Sequence, residues 1–365
     1  MSFELNEKLR GLQPYDPIAG DYPIRLDANE SFLPISQAER AAIAACAESV
    51  QFRRYPDPAA ISLRAAAADF YGVPPALLTA WNGTDEALQV LSAAFLGKGD
   101  ALLCLEPDFS MYGFYAYLSG ADVIRLPKRE DYAINADAVI ATLRQRRPTA
   151  LVFSNPCNPT SLVLSREAVR DIVHAANDAG TLVVLDEAYM DFSDQSLLAE
   201  TAAHPNLVIL RTCSKAPGLA GLRLGFSVAN TEITRILQAA KSPYNVGVWT
   251  QTLGEALLRQ ADRLHAGTAA LRRQTAALSV GLRALAARFP AQLQVIGDSA
   301  NFVFATLPDA AAAFEALKAT GIIVRRFGDG ALRVTAGSRN ENAEFLAKLG
   351  VFLERGSDYA AKALL

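Results

Sequence analysis

ALVFSNPCNPTSLVLSREAVRDIVHAANDAGTLVVLDEAY (150–189) decides the fold. It opens on the apolar run ALVFS and closes on LVVLD, neither alternating with polar residues, as in strands covered on both faces. Between them Ser165 caps a helix. Ala168, Ile172, Val173 and Ala176 form its apolar stripe, and Gly180 stops it. Strand, helix, strand in that order predicts a parallel βαβ unit.

The same alternation extends from Arg64 to Leu210, with further strands at ALLCLEP (101–107) and NLVILRT (206–212). An α/β fold follows: a mostly parallel, seven-stranded-type sheet flanked by helices. Past Trp249 an Ala/Leu/Arg-rich helical stretch through Ala287 precedes four short strands, QLQVIG, NFVFATL, GIIVRRF and ALRVTAG, which predict a smaller α+β unit. The start holds a Pro- and Gly-rich arm from Pro14 to Pro23, the extended IRLDANES and an Ala-rich helix around Ile43, too little to fold alone. The expected division is 1–50 as arm and part of the small domain, 51–255 as the large domain, and 256–365 as the small domain.

With 365 residues, 51% hydrophobic, the chain can bury substantial cores. Its 35 basic and 38 acidic residues are dispersed and leave a net charge of −3, so no nucleic-acid footprint is present. Four cysteines without a CxxC pair and three histidines suggest neither disulfide framework nor metal site. MSFELNEKLRG lacks the basic start and apolar core of an export signal, and no run of about 18 apolar residues occurs. A cytoplasmic protein acting on small molecules, away from membranes, is expected.

In parallel sheets function collects beyond the carboxyl ends of strands. Here those ends read Asn155-Pro156-Cys157-Asn158, Asp186-Glu187-Ala188-Tyr189 and Thr212-Cys213-Ser214-Lys215, the last followed eight residues on by Arg223. A buried acid such as Asp186 requires a cationic partner. Lys215 offers a nucleophilic amine. Arg223, the Thr212 and Ser214 hydroxyls, and backbone N–H groups of Thr84 and Asp85 at a helix start could enclose a phosphate. An amine for an aldehyde, an acid for a pyridine nitrogen and a cup for a phosphate together describe a site for pyridoxal 5'-phosphate.

The order NxxNP, DEAY, then SK with its arginine resembles the fold-type I pyridoxal-phosphate aminotransferases of class I/II. LDANES (26–31), RRYPD (53–57), NGTDEAL (82–88), RTCSKAPGLAGLRLGF (211–226) and LRVTAGSRNE (332–341) resemble, more closely, the histidinol-phosphate aminotransferase family, from about Tyr15 to Glu341. The resemblance implies that Lys215 carries the cofactor and then moves the substrate proton, and that Asp186 keeps the ring nitrogen protonated. It assigns Asn158 and Tyr189 to the ring oxygen. Phe109 would stack on the ring, and Tyr55 would reach a neighbour's phosphate across a homodimer. For substrate it implies Arg333 on a carboxylate, Arg325 near a substrate phosphate, and Tyr15 and Asn29 lining that end. Pro217, Ser161 and Arg326 depart from the family pattern.

Taken singly, Lys215 reads as a solvated charge and Arg325 and Arg333 as strand-edge charges; their joint order is what is specific. The implied reaction is histidinol phosphate plus 2-oxoglutarate giving imidazole acetol phosphate and glutamate. Alternatives on the same scaffold are aromatic amino acid transamination and threonine-phosphate decarboxylation. A nucleotide-binding oxidoreductase is remote, since no GxGxxG follows a strand, and a non-catalytic cofactor-binding module would not need Lys215.

Overall fold

A computed structural model describes residues 3–13 and 18–355. The apolar runs form one sheet. Its strands are β2 (Leu78–Trp81), β3 (Ala101–Glu106), β4 (Asp122–Pro127), β5 (Ala150–Ser154), β6 (Leu182–Asp186), β7 (Leu207–Thr212) and β8 (Gly225–Ala229), in the order β2-β8-β7-β6-β5-β3-β4. All neighbours from β7 to β4 pair in parallel. β8 runs antiparallel between β2 and β7.

The absence of polar alternation in these strands has a direct cause. Leu103, Leu151, Phe153, Val183, Leu185 and Ile209 face the helices Ala136–Arg146 and Arg166–Ala179. Leu102, Cys104, Val152, Val184, Val208 and Leu210 face Thr84–Phe95, Met111–Ser119 and Thr231–Ala240. Successive residues thus bury on opposite sides, each worth about 1.5–3 kcal/mol relative to exposure. The helix Arg166–Ala179 is capped as expected, Ser165 Oγ accepting from Ala168 N–H at 3.2 Å and Gly180 turning left-handed at φ 73°. Its buried stripe uses Val169 rather than Ala168, and widens to Ala175 and Ala179 where the helix shares a core with its neighbour Ala136–Arg146.

A second, five-stranded sheet takes β1 (Ile24–Leu26), β9 (Gln294–Gly297), β10 (Phe302–Thr306), β11 (Ile322–Phe327) and β12 (Ala331–Thr335) in the order β1-β11-β12-β10-β9. The four C-terminal strands lie where the sequence placed them, and β1 adds in parallel to β11. The preceding helical stretch is two helices, Val248–Leu258 and Ala261–Arg288, separated where Gln260 leaves helical geometry. One face of this sheet packs Leu26, Val303, Val324, Leu332 and Val334 against the helices Ala261–Arg288, Ala310–Ala319 and Arg339–Arg355. Period two therefore turns Phe302, Phe304, Arg325 and Arg333 to the opposite face. Among the described residues no helix is long and apolar enough to cross a membrane.

Candidate active site

That opposite face and the carboxyl ends of β5, β6 and β7 bound a cavity of about 710 Å³. Thirteen of the residues singled out from the sequence line it: Asn29, Thr84, Asp85, Phe109, Asn158, Asp186, Tyr189, Thr212, Ser214, Lys215, Arg223, Arg325 and Arg333. Tyr55 does not. It is 82% exposed and stacks on Tyr244 with ring centroids 4.6 Å apart. Tyr15 lies outside the described residues.

Asp186 ends β6 and is buried. Its Oδ1 accepts from Ala188 N–H at 3.0 Å and its Oδ2 from the Tyr112 hydroxyl at 2.8 Å. Burial pushes its pKa up to about 6 against these two donors, with the charges of Asp108 and Asp85 adding to the rise. A carboxylate so placed favours a cationic partner in the cavity.

Tyr189 is buried three residues further on, its hydroxyl accepting from Asn29 Nδ2 at 2.8 Å. Asn29 is itself held by Thr335 at the end of β12, its N–H donating to Thr335 Oγ1 at 3.0 Å. Asn158 Oδ1 accepts from Arg333, whose other terminal nitrogen donates to Asp27 O at 2.6 Å. The Arg333 guanidinium lies over the Phe302 and Phe327 rings, 5.3 and 5.6 Å from their centroids. Arg325 faces Arg333 across the β11–β12 ladder, so one end of the cavity carries two guanidinium groups. Arg326 points the other way and pairs with Asp329 at 2.7 Å, so it adds no charge here.

Lys215 follows β7 in a turn closed by Gly218 N–H donating to Lys215 O at 3.0 Å, a turn that contains Pro217. Its Nζ donates to Ala28 O at 2.9 Å and lies 6.0 Å from the Tyr189 ring centroid. Nearby, Thr212 Oγ1 accepts from Ser214 N–H at 3.1 Å, and Arg223 contacts Ser214 Oγ and Asp85 Oδ2, each at 3.4 Å.

The start of helix Thr84–Phe95 is held close to this group by glycines. A Cβ on Gly83 (φ 83°) would lie 2.7 Å from Arg223 Nη2, and one on Gly225 would lie 2.9 Å from Thr84 N. The first N–H groups of a helix have no acceptor within it. Hydroxyls, a guanidinium and helix-start N–H groups therefore converge in a cradle that a side chain would fill, as a phosphate requires. The donor set fits pyridoxal phosphate: the cradle for its phosphate, Lys215 for its aldehyde and Asp186 for its ring nitrogen.

Ser161 explains its own departure from the family pattern. It sits at φ 56°, and its buried hydroxyl donates to Phe302 O at 3.0 Å and accepts from Ala300 N–H at 2.9 Å. The loop carrying Asn158 is thereby tied to the second sheet.

Sequence reasoning missed Tyr112, Asp108, Ser154 and Lys128. The Asp108 carboxylate accepts from the Ser154 hydroxyl, and Ser154 Oγ accepts from Asn158 N–H at 3.1 Å. Lys128 closes this string from below, its Nζ 3.4 Å from Asp108 Oδ2 and donating to Pro107 O at 2.7 Å, with both charged side chains almost wholly buried. Burial opposes the lysine's charge, but Asp108 and Cys157 outweigh it and raise its pKa. The only sequence signal is a lysine directly after β4, and its partner lies 20 residues away. Lys128→Met is expected to lower the unfolding free energy by about 3–5 kcal/mol, because it strands a buried carboxylate; urea unfolding of the apoprotein measures it.

A family model described as aminotransferase class I and II matches residues 22–349. The histidinol-phosphate aminotransferase of Clostridium novyi (strain NT) is 35% identical over 342 residues, covering 93% of this chain and 94% of that enzyme. That of Thermococcus gammatolerans is 36% identical over 345 residues, covering 94% and 95%. The crystal structure of histidinol-phosphate aminotransferase from Sinorhizobium meliloti, in complex with pyridoxal-5'-phosphate, shares the fold at TM-score 0.84 and 21% identity, covering 97% of this chain and 98% of that one. With a family match over residues 22–349 and relatives above one-third identity, the chain belongs to the class I and II aminotransferases.

Proposed function

We propose that this chain transfers an amino group from histidinol phosphate to 2-oxoglutarate, using pyridoxal 5'-phosphate and acting as a homodimer in the cytoplasm. The observation that carries the reading is the single cavity in which Lys215, Asp186, the Arg223 cradle and the Arg325–Arg333 pair all meet. In this reading residues 51–255 hold the cofactor, while 256–365 and the strand supplied by 1–50 present the substrate-facing arginines.

When bound, the cofactor supplies an aldehyde for the substrate amine and a ring that withdraws electrons from Cα. Lys215 Nζ takes the Cα proton as a general base and returns it as a general acid. Asp186 holds the ring nitrogen's proton by accepting its hydrogen bond, while Asn158 and Tyr189 serve the ring oxygen and Phe109 covers the ring face. Arg223, Thr212, Ser214 and the N–H groups of Thr84 and Asp85 hold the phosphate. Arg333 receives a carboxylate and Arg325 a second anion, so a phosphomonoester and a dicarboxylate can alternate in one pocket.

Tyr55 is assigned to the neighbour's phosphate. The exposure of Phe52, Tyr55 and Ile61 supports a covering partner there.

The test is a substrate panel on cofactor-loaded protein with histidinol phosphate, phenylalanine and threonine phosphate. We expect kcat/KM for histidinol phosphate to exceed the others by about tenfold or more. Preference for phenylalanine, or carbon dioxide released from threonine phosphate, would overturn the substrate assignment.

A further inference from the structure

Asp186 is braced unequally. Oδ1 takes a backbone N–H from its own turn, that of Ala188, but Oδ2 takes the hydroxyl of Tyr112, which enters from the helix Met111–Ser119. Tyr112 is buried among Leu91, Cys104, Val184 and Val208, so its orientation is fixed by packing. Its ring also meets Phe109 edge to face, with centroids 5.5 Å apart. One side chain therefore touches both the acid proposed for the ring nitrogen and the aromatic proposed for the ring face.

A hydroxyl that donates to a carboxylate stabilises its ionised form, and strongly so where water is excluded. The charges of Asp108 and Asp85 both oppose its ionisation. We propose that Tyr112 is a positioning residue for transamination: by donating to Oδ2 it keeps Asp186 ionised and correctly rotated, so that the proton stays on the cofactor's ring nitrogen. Without that donor the proton moves toward Asp186, the ring withdraws electrons less, and Cα–H cleavage slows. The inference rests on the proposed cofactor role of Asp186.

The experiment compares wild-type and Tyr112→Phe holoenzymes. Phenylalanine keeps the ring, its burial and the edge contact with Phe109, and deletes only the donor. The expected result is a fall in kcat of about 10- to 100-fold, with KM for the oxo acid within about threefold. With cofactor labelled at the ring nitrogen, the ¹⁵N resonance of the variant should move from the protonated toward the neutral pyridine position. Because a core variant can lose activity by misfolding, fluorinated tyrosines at position 112 provide a second series. A more acidic phenol should move the resonance in the opposite direction, toward full protonation.

An unchanged resonance in Tyr112→Phe would overturn the proposal whatever the rate does, since a merely structural role leaves the nitrogen's proton in place. A wild type that binds no cofactor would bring down the underlying functional reading as well, and is recognised before any variant is compared.

Discussion

Lys215→Ala is expected to lower turnover by about 10⁴-fold or more while leaving the protein folded. A positioned proton-transfer group alone contributes roughly 10²–10⁴-fold, and the same amine is here proposed to make the covalent attachment, so both contributions would vanish together. The structural cost is small. Lys215 is half-exposed, and its Nζ makes one hydrogen bond, to Ala28 O at 2.9 Å, worth about 1 kcal/mol. Steady-state rates and thermal unfolding of the same preparation separate the two effects. Borohydride treatment of cofactor-loaded wild type should fix the cofactor on the peptide carrying Lys215 and on no other. A variant that retains more than about one-hundredth of wild-type turnover would contradict the assignment, as would label on a different lysine.

The readiness with which this lysine could be found in the sequence has a physical origin. β5, β6 and β7 are buried on both faces, so their apolar runs are unbroken, and the first polar residue after each run marks where the chain leaves the sheet. Asn158, Asp186 and Lys215 all lie within four residues of such an exit. Arg333 reads singly as a strand-edge charge, and the family resemblance alone implies its place; the structure supplies the reason, since period two on β12 sends its neighbours Leu332 and Val334 into a core and leaves the arginine on the far face.

What stayed hidden depends on pairing across distance. β1 is three residues long and is a strand because β11 accepts it. β8 follows a glycine-rich turn, and its register is set by β2 and β7. Tyr112 sits in an aromatic helix, MYGFYAYLS, where nothing local separates it from Tyr115 or Tyr117. Only the 74-residue separation closed by the fold brings its hydroxyl to Asp186. The Lys128–Asp108 pair is likewise invisible without the β3–β4 alignment that brings their segments together. Local chemistry therefore located the groups proposed to react, and tertiary contacts supplied those that hold them.

Asp186→Asn should separate catalysis from folding in the opposite sense to Lys215→Ala, being slower in turnover yet more stable as apoprotein. The slowing, on the order of 10³-fold, follows from removing the one negative charge proposed to hold the ring nitrogen's proton in a water-poor site. The stability effect follows from burial, which raises the folded-state pKa of Asp186 from 3.8 to about 6. Between those two values the folded protein binds more protons than the unfolded chain, so this group's contribution falls as pH rises through the window. Below it no penalty applies; above pH 6 the full penalty is present, on the order of 3 kcal/mol. The asparagine variant does not titrate and should show no such fall. A cofactor bringing a cationic nitrogen to the carboxylate offsets the penalty, so the melting temperature gained by wild type on cofactor binding should be larger at pH 7.5 than at pH 5. Melting curves of apo and loaded protein, wild type and variant, at both pH values test each part. An apoprotein whose stability rises from pH 4 to pH 6 relative to Asp186→Asn would mean that the buried carboxylate is already satisfied without the cofactor, and the argument for its cationic partner would fail.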